Sequence, residues 1–237
     1  MIDNDDPLAL PLWINGHAYL TMTDGFFDVR NPQTGEVLRR TPLCGADVAA
    51  KAVAAAQGAC AAWAVEPTPA RAALLAAVAD ALAGYAVHFA RLIGDETGKE
   101  EAAAAAEVAE AVALLRAASP AAEFAGGAGR VVAVVNDDRA PLAGLLSYVV
   151  PALAGGATVV AKPSPKAPSA AFAFAELTAR AGLPDGVFNI LQGDEAAIAG
   201  LCAQSDLGSL AFAGDAALGA KVRAIAEGHG KAFVSRV

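Results

Sequence analysis

Three thiols, one lysine closing an apolar run, and a scatter of glycines and aspartates are the groups in this sequence with chemistry to offer. Cys44, Cys60 and Cys202 are odd in number, widely spaced and never in a Cys-x-x-Cys pair. That argues against a disulfide framework or a zinc site and for buried, inert thiols, and no metal site is expected. Lys162 ends the run Thr158–Ala161, where a cation suits a phosphate but is equally at home in solvent. No Gly-x-Gly-x-x-Gly follows any strand-like run, and the Gly-Lys-Ser phosphate loop is also missing. The residues alone therefore read as an α/β chain with nucleotide binding left open.

The elements that would position these groups follow from periodicity and turn signals. Up to about residue 45, short apolar stretches (Trp13-Ile14, Phe26 to Val29) are broken by Asn15-Gly16, Asn31-Pro32 and Thr34-Gly35, which reads as strands and turns. Residues 46–125 read as helical. Asp47 is expected to cap the first helix, which runs to about Trp63; Thr68-Pro69 is expected to cap the second, and further helices follow to about Arg116. Residues 126–237 alternate β-rich runs with helices: Arg130 to Val135, Thr158 to Ala161, Val187 to Leu191, Ser209 to Phe212 and Ala232 to Ser235, with helices between them. Apolar strands joined by helices predict a Rossmann-like, doubly wound, mainly parallel sheet with ligands at its carboxyl edge. The three stretches are expected to form one domain.

Composition removes several functions. Seventeen Lys and Arg against 25 Asp and Glu give a formal charge of −8, which repels nucleic acid and anionic lipid. The acidic start MIDNDDP has neither the basic nor the apolar character of a targeting peptide, so a cytoplasmic location is expected. The uncharged stretch Ala140 to Ala161 is long enough to span a bilayer, but Pro151 and Gly155-Gly156 split it, and a buried helix followed by a buried strand is expected instead.

A specific series of segments goes further. In order they are NPQTGEVL (Asn31–Leu38), DVAAKAVAAA (Asp47–Ala56) with Trp63 after it, DETGK (Asp95–Lys99), PALAGGATVVAKPSPKAP (Pro151–Pro168), ELTARAGLPDGVFNILQG (Glu176–Gly193) and LAFAGDAALG (Leu210–Gly219). From about Ile14 onward the chain resembles the NAD(P)-binding half of the aldehyde dehydrogenase superfamily. The resemblance implies that Lys162 contacts the adenosine ribose, with Ser164 beside it. It also implies that Gly193 turns close to the adenine, and that Gly214, Asp215 and Gly219 lie where the chain enters the helix under the pyrophosphate.

The departures from the family pattern weigh as much as the matches. The family's catalytic domain, with its cysteine nucleophile, would lie beyond Val237, so no catalytic residue is expected here. The asparagine of the family's Pro-Trp-Asn-Phe-Pro turn aligns with Arg139 in Asp137-Asp138-Arg139-Ala140-Pro141, which reads as a solvated charged turn. The general-base glutamate aligns with Arg236, and a guanidinium is no base. Pro165 replaces the glutamate of Lys-Pro-Ser-Glu, and Asp215 replaces the serine of Phe-Thr-Gly-Ser, placing a carboxylate where phosphates would approach. Two like charges 4 Å apart repel by about 1 kcal/mol in water and about 4 kcal/mol near a protein surface, so NAD(P) is expected to bind weakly at most. Asp215 also suits a helix N-cap. The short FAGGAG before Arg130 suggests that the family's assembly hairpin is deleted.

A non-catalytic scaffold or interaction subunit is thus the leading expectation. The alternative is a nucleotide-binding subunit of an NAD(P)-dependent aldehyde oxidoreductase whose cysteine-bearing half is another chain. Both imply a protein partner, or self-association, over the face left by the missing domain.

Overall fold

The computed structural model describes residues 7–23, 25–121 and 129–236, with only the backbone of Arg236. The shortened FAGGAG hairpin falls almost wholly outside the described residues.

Strands β1 (Leu12–Ile14) and β2 (His17–Tyr19) form a hairpin closed by Asn15 and Gly16, both at positive φ, the conformation that a two-residue turn between twisted strands requires. Strands β3 (Phe26–Arg30) and β4 (Val37–Pro42) pair separately, across a turn in which Asn31 Oδ1 accepts from the Gln33 and Thr34 amides. Four helices follow: α1 (Ala46–Val65), α2 (Thr68–Gly84), α3 (Ala86–Thr97) and α4 (Glu101–Arg116). The βα units come last: β5 (Val131–Asn136), α5 (Ala143–Ala154), β6 (Thr158–Lys162), α6 (Ser169–Arg180), β7 (Phe188–Ile190), α7 (Glu195–Cys202), β8 (Leu207–Ala213), α8 (Ala216–Gly228) and β9 (Ala232–Arg236).

The main sheet has seven strands in the order β2-β1-β7-β6-β5-β8-β9. Strands β5 to β9 are parallel and the β1–β2 hairpin adds antiparallel to β7, so the N-terminal strands join the main sheet. From β5 the chain moves outward through β6 and β7, then returns to β8 on the other side of β5. That makes β5/β8 the topological switch point, where doubly wound sheets bind ligands.

Residues alternate between two cores. Val132, Val134, Val159 and Ala161 face the side covered by α5 and α6, with α2 to α4 behind them. Val131, Ala133, Val135, Val160 and Phe212 face α1, α7 and α8. The uncharged stretch is a 12-residue helix, α5, a turn and the buried strand β6. Among the described residues α1 alone has the length and composition of a membrane-crossing helix. It places Val48, Ala49, Ala52, Val53, Ala56 and Cys60 in the second core.

Two expected caps shift. Gly45 is the N-cap of α1, with extended backbone, and Asp47 lies in the first turn. At α2 the cap is Pro67, whose fixed φ suits helix entry; Thr68 and Pro69 are already helical. Thr68 Oγ1 instead accepts from Arg71 Nη2 at 3.1 Å.

Buried charges fasten the helical segment to the sheet. Glu107 of α4 accepts from the Leu142 and Ala143 amides at 2.9 and 3.2 Å, capping α5, and binds Lys99 with its other oxygen. Glu96 of α3 accepts from the amide and hydroxyl of Ser169, the first residue of α6, and pairs with Arg39 Nε at 3.2 Å. Burial pushes the Glu96 carboxyl above the usual carboxylate range, against the pull of Ser169 and Arg39. At the opposite helix ends, buried Arg71 donates to the carbonyls of Ala154, Trp63 and Glu66, where guanidinium charge complements two C-terminal dipoles.

Glu107→Ala would strand two buried amides and the Lys99 ammonium, so we predict a loss of about 2–4 kcal/mol in urea unfolding. Glu110→Ala, on the exposed side of the same helix, should change stability by under about 0.5 kcal/mol.

Candidate functional site

The groups singled out in the sequence collect at the carboxyl edge of the parallel strands. Register places Val135 of β5 between Lys162 of β6 and Phe212 of β8. Asp137 follows β5, Gly214 and Asp215 follow β8, and Gly193 follows β7.

At the switch point the structure corrects one expectation. Asp137 is not part of a solvated turn but is 5% exposed, because continuing the alternation of β5 turns it toward α8. Its Oδ2 accepts from the Asp215 amide at 2.7 Å and from Arg139 Nε at 3.0 Å, and its Oδ1 accepts from the Arg139 amide at 3.0 Å. Arg139 keeps its side chain largely exposed and serves as the counter-ion.

Asp215 is the N-cap of α8, as the sequence suggested: Oδ1 accepts from the Ala217 and Leu218 amides at 2.8 and 3.3 Å. Those two bonds are the main reason its carboxyl lies below the ordinary aspartate value. The Gly219 amide is taken by the Asp215 carbonyl. The Asp215, Ala217, Leu218 and Gly219 amides at the start of α8 are therefore already bonded, the first three to carboxylates.

The glycines have packing reasons independent of any ligand. Gly214, at φ +151°, passes so close to Asp137 that a Cβ would lie 2.5 Å from the carboxylate carbon. A Cβ on Gly193, at φ +139°, would lie 2.7 Å from Ala197. Gly219 rests on the Phe212 ring, 3.1 Å from where its Cβ would be.

Lys162 was expected either to serve a ligand or to be solvated; it is 4% exposed. By strand alternation it shares the α7–α8 face with Val160, and among the described residues its ammonium makes no hydrogen bond or ion pair. Desolvation lowers it to about 8, with only partial compensation from Asp194 and Glu195. Ser164 is buried and accepts from the Lys166 amide at 3.3 Å. The Pro165 carbonyl accepts from Thr41 Oγ1 at 2.8 Å, which ties this loop to β4. Gln192 is fully buried with a carboxamide lacking any partner among the described residues.

The thiols lie elsewhere. Cys44, Cys60 and Cys202 are buried and unpaired. Burial pushes Cys44 up to about 12 and Cys202 to about 11, far from thiolate reactivity. No group of three His, Cys, Asp or Glu side chains suits a metal among the described residues.

Sequence reasoning missed Asp137, Glu96 and Glu107. The two glutamates carried a readable signal, since each occupies a core-facing position: Phe89, Ile93 and Glu96 on α3; Ala104, Glu107, Val108 and Ala111 on α4. Asp137 carried none, because an Asp-Asp-Arg turn reads equally well as solvated.

Comparison with known proteins agrees with this architecture. The sequence profile described as the aldehyde dehydrogenase family matches residues 19–236. Malonate-semialdehyde dehydrogenase 1 of Geobacillus thermodenitrificans is 33% identical over 228 residues, which cover 86% of this chain and 46% of that protein. N-succinylglutamate 5-semialdehyde dehydrogenase of Burkholderia mallei is 34% identical, over 88% and 46% respectively. The crystal structure of lactaldehyde dehydrogenase from Escherichia coli superposes with a TM-score of 0.88 at 27% identity, covering 98% of this chain and 52% of that one. The chain thus spans about half the length of the relatives it matches, and over that span it belongs to the aldehyde dehydrogenase family.

Proposed function

We propose that this chain is a non-catalytic, structural unit of the aldehyde dehydrogenase family, a dinucleotide-type fold kept as a scaffold for a protein partner or a second copy. The observation that carries this reading is the 2.7 Å bond from the Asp215 amide to Asp137. A dinucleotide needs free amides at a helix N-terminus for its pyrophosphate. Here the helix entrance holds Asp137 and Asp215, with Arg139 bonded to Asp137. Phosphate charges arriving at about 4 Å from the buried Asp137 carboxylate would be repelled by about 1–4 kcal/mol, with Asp215 opposing them too, and they would have to displace Asp137 from three hydrogen bonds. The residues present do not fit NAD(P) held in the family's manner.

Calorimetric titration with NAD should show no saturable binding up to millimolar concentration. The double variant Asp137→Ala, Asp215→Ser reopens the amides and should gain measurable affinity. Micromolar NAD binding by the unaltered chain would overturn the reading; failure of the double variant to bind would mean that the carboxylates are not what closes the site.

One observation favours a second reading, the nucleotide-binding subunit that works with a cysteine-bearing chain. Lys162 is a buried ammonium with no hydrogen-bond or ion-pair partner among the described residues, as a site awaiting ligand hydroxyls would leave it. Its lowered pKa makes a separate prediction about stability. Below about pH 8 the group is charged in both folded and unfolded chains, and its desolvation cost is fully present. Between about 8 and 10.5 the unfolded chain binds the extra proton, so stability rises with pH. The gain, up to about 3 kcal/mol for a shift of this size, is read as the difference between the parent and Lys162→Met in urea unfolding at pH 7 and pH 10, because Cys44 and Cys202, held protonated by burial, lower the stability of both proteins above the ordinary thiol value. Lys162→Met should be more stable than the parent at pH 7 and should lack the gain. A pH-independent difference between the two proteins would show that Lys162 is solvated or paired after all.

A further inference from the structure

The two edge strands of the main sheet are built differently. At one end β2 is three residues long, His17 and Ala18 are exposed, and Lys51 stands against the strand. The Lys51 ammonium donates to the Tyr19 hydroxyl at 2.9 Å and lies 5.5 Å from the centre of its ring. A short strand with a lysine beside it is a usual way for a sheet to keep its edge from pairing. At the other end β9 has no such guard. Its five residues pair with β8 in parallel without a bulge, they include no proline or lysine, and among the described residues no strand pairs with its outer side. Alternate residues of β9 therefore present backbone N–H and C=O groups outward.

Both cores run out to this edge unfinished. Phe233 is half-buried against the core under α7 and α8, its ring 4.9 Å from the Arg223 guanidinium, and Val234 is half-buried against the core on the opposite face. A strand that pairs here must bring apolar side chains to both faces. Helix α8 adds a flank that is small at one end and large at the other. Lys221 reaches Glu195 at 3.9 Å, so its side of the helix faces α7. Arg223 reaches Phe233, so the exposed Ala216, Ala220, Arg223 and Glu227, which share its side at helical spacing, face the open edge.

We infer that β9 pairs antiparallel with β9 of a second copy, making one continuous sheet across a two-fold axis at Val234. This rests on the scaffold reading and names its partner and its surface. Five residues pair completely only when the central one opposes itself, which sets Val234 against Val234 and Phe233 against Ser235 of the other copy. The strand thus supplies its own requirement for apolar residues on both faces. On the α8 side the two helices run antiparallel, so the large Arg223 and Glu227 of each copy lie along the small Ala216 and Ala220 end of the other. Strand β2 of a second copy offers no such match, being shorter and flanked by Lys51. Antiparallel addition to this sheet has a precedent within the chain, where β1 joins β7.

Sedimentation velocity of the whole chain at micromolar concentration should show a dimer. Val234→Lys, at the centre of the pairing, and Ala220→Trp, on the α8 flank, should each weaken it about tenfold or more, with circular dichroism and urea midpoint close to the parent's because both side chains lie at the surface. Val234→Cys should form a disulfide-linked dimer on mild oxidation, since directly opposed residues place their Cβ atoms about 4.5–5.5 Å apart. The parent, whose three thiols are buried, and Ala109→Cys, exposed on α4, should not. A monomeric parent would overturn the proposal, as would a dimer insensitive to both substitutions or equal cross-linking at 109 and 234. Calorimetry of the same sample with NAD keeps the two readings apart: a monomer that binds no NAD contradicts the β9 pairing alone, whereas micromolar NAD binding contradicts the scaffold reading.

Discussion

Four helices begin at the carboxyl edge of one parallel sheet, and each start leaves backbone N–H groups aimed at the same region. Such amides attract negative charge, and what supplies it decides what the edge can do. Here every start is met by a carboxylate of the chain itself: Glu107 for α5, Glu96 for α6, Asp194 for α7, and Asp215 with Asp137 for α8. The first two come from the helical segment, so the same bonds that satisfy α5 and α6 also hold α3 and α4 to the sheet. Arg71 closes the arrangement from the other end by meeting the carbonyls of α1 and α5. Removing these charges would leave a sheet with unsatisfied helix ends and a helical bundle without an anchor.

The functional consequence is concentrated at the switch point. In a doubly wound sheet the crevice between the strands where the winding reverses is the natural ligand seat, and in this chain it lies between β5 and β8. The Asp137 carboxylate occupies it and accepts from the Asp215 amide in the β8–α8 turn. Gly214 then has a reason of its own, because only a residue without Cβ passes the carboxylate. Gly214 is thus maintained by an internal contact. Lys162 departs from this economy of paired charges: it is a buried ammonium with no hydrogen bond or ion pair among the described residues, compensated only in part by Asp194 and Glu195, and two strands from Asp215.

Most of the fold was legible because its signals are local. Apolar β-branched runs such as Val131–Val135 and Thr158–Val160, separated by helical stretches, located each parallel strand to within a residue or two. Helix starts were less legible. Gly45 and Pro67 cap by backbone conformation rather than by a side chain, so the better hydrogen-bonding residues nearby, Asp47 and Thr68, drew the expectation. Asp215 followed the ordinary rule and was readable. The candidate site was legible in membership but not in meaning: Lys162, Gly193, Gly214 and Asp215 do line one sheet edge, whereas the role of Asp137 depends on a contact with Asp215 across 78 positions in sequence. The addition of β1 and β2 to the main sheet is likewise a long-range pairing, with Trp13 opposite Ile190, that no local pattern reveals.

The central claim is that the chain's own carboxylate, and not an exogenous anion, occupies the entrance of α8. A crystal structure of the protein soaked in concentrated sulfate tests it most directly. The account predicts Asp137 Oδ2 still bonded to the Asp215 amide and no sulfate at that helix start. Sulfate seated on the amides of Asp215 and Ala217, with Asp137 rotated out to solvent, would contradict it.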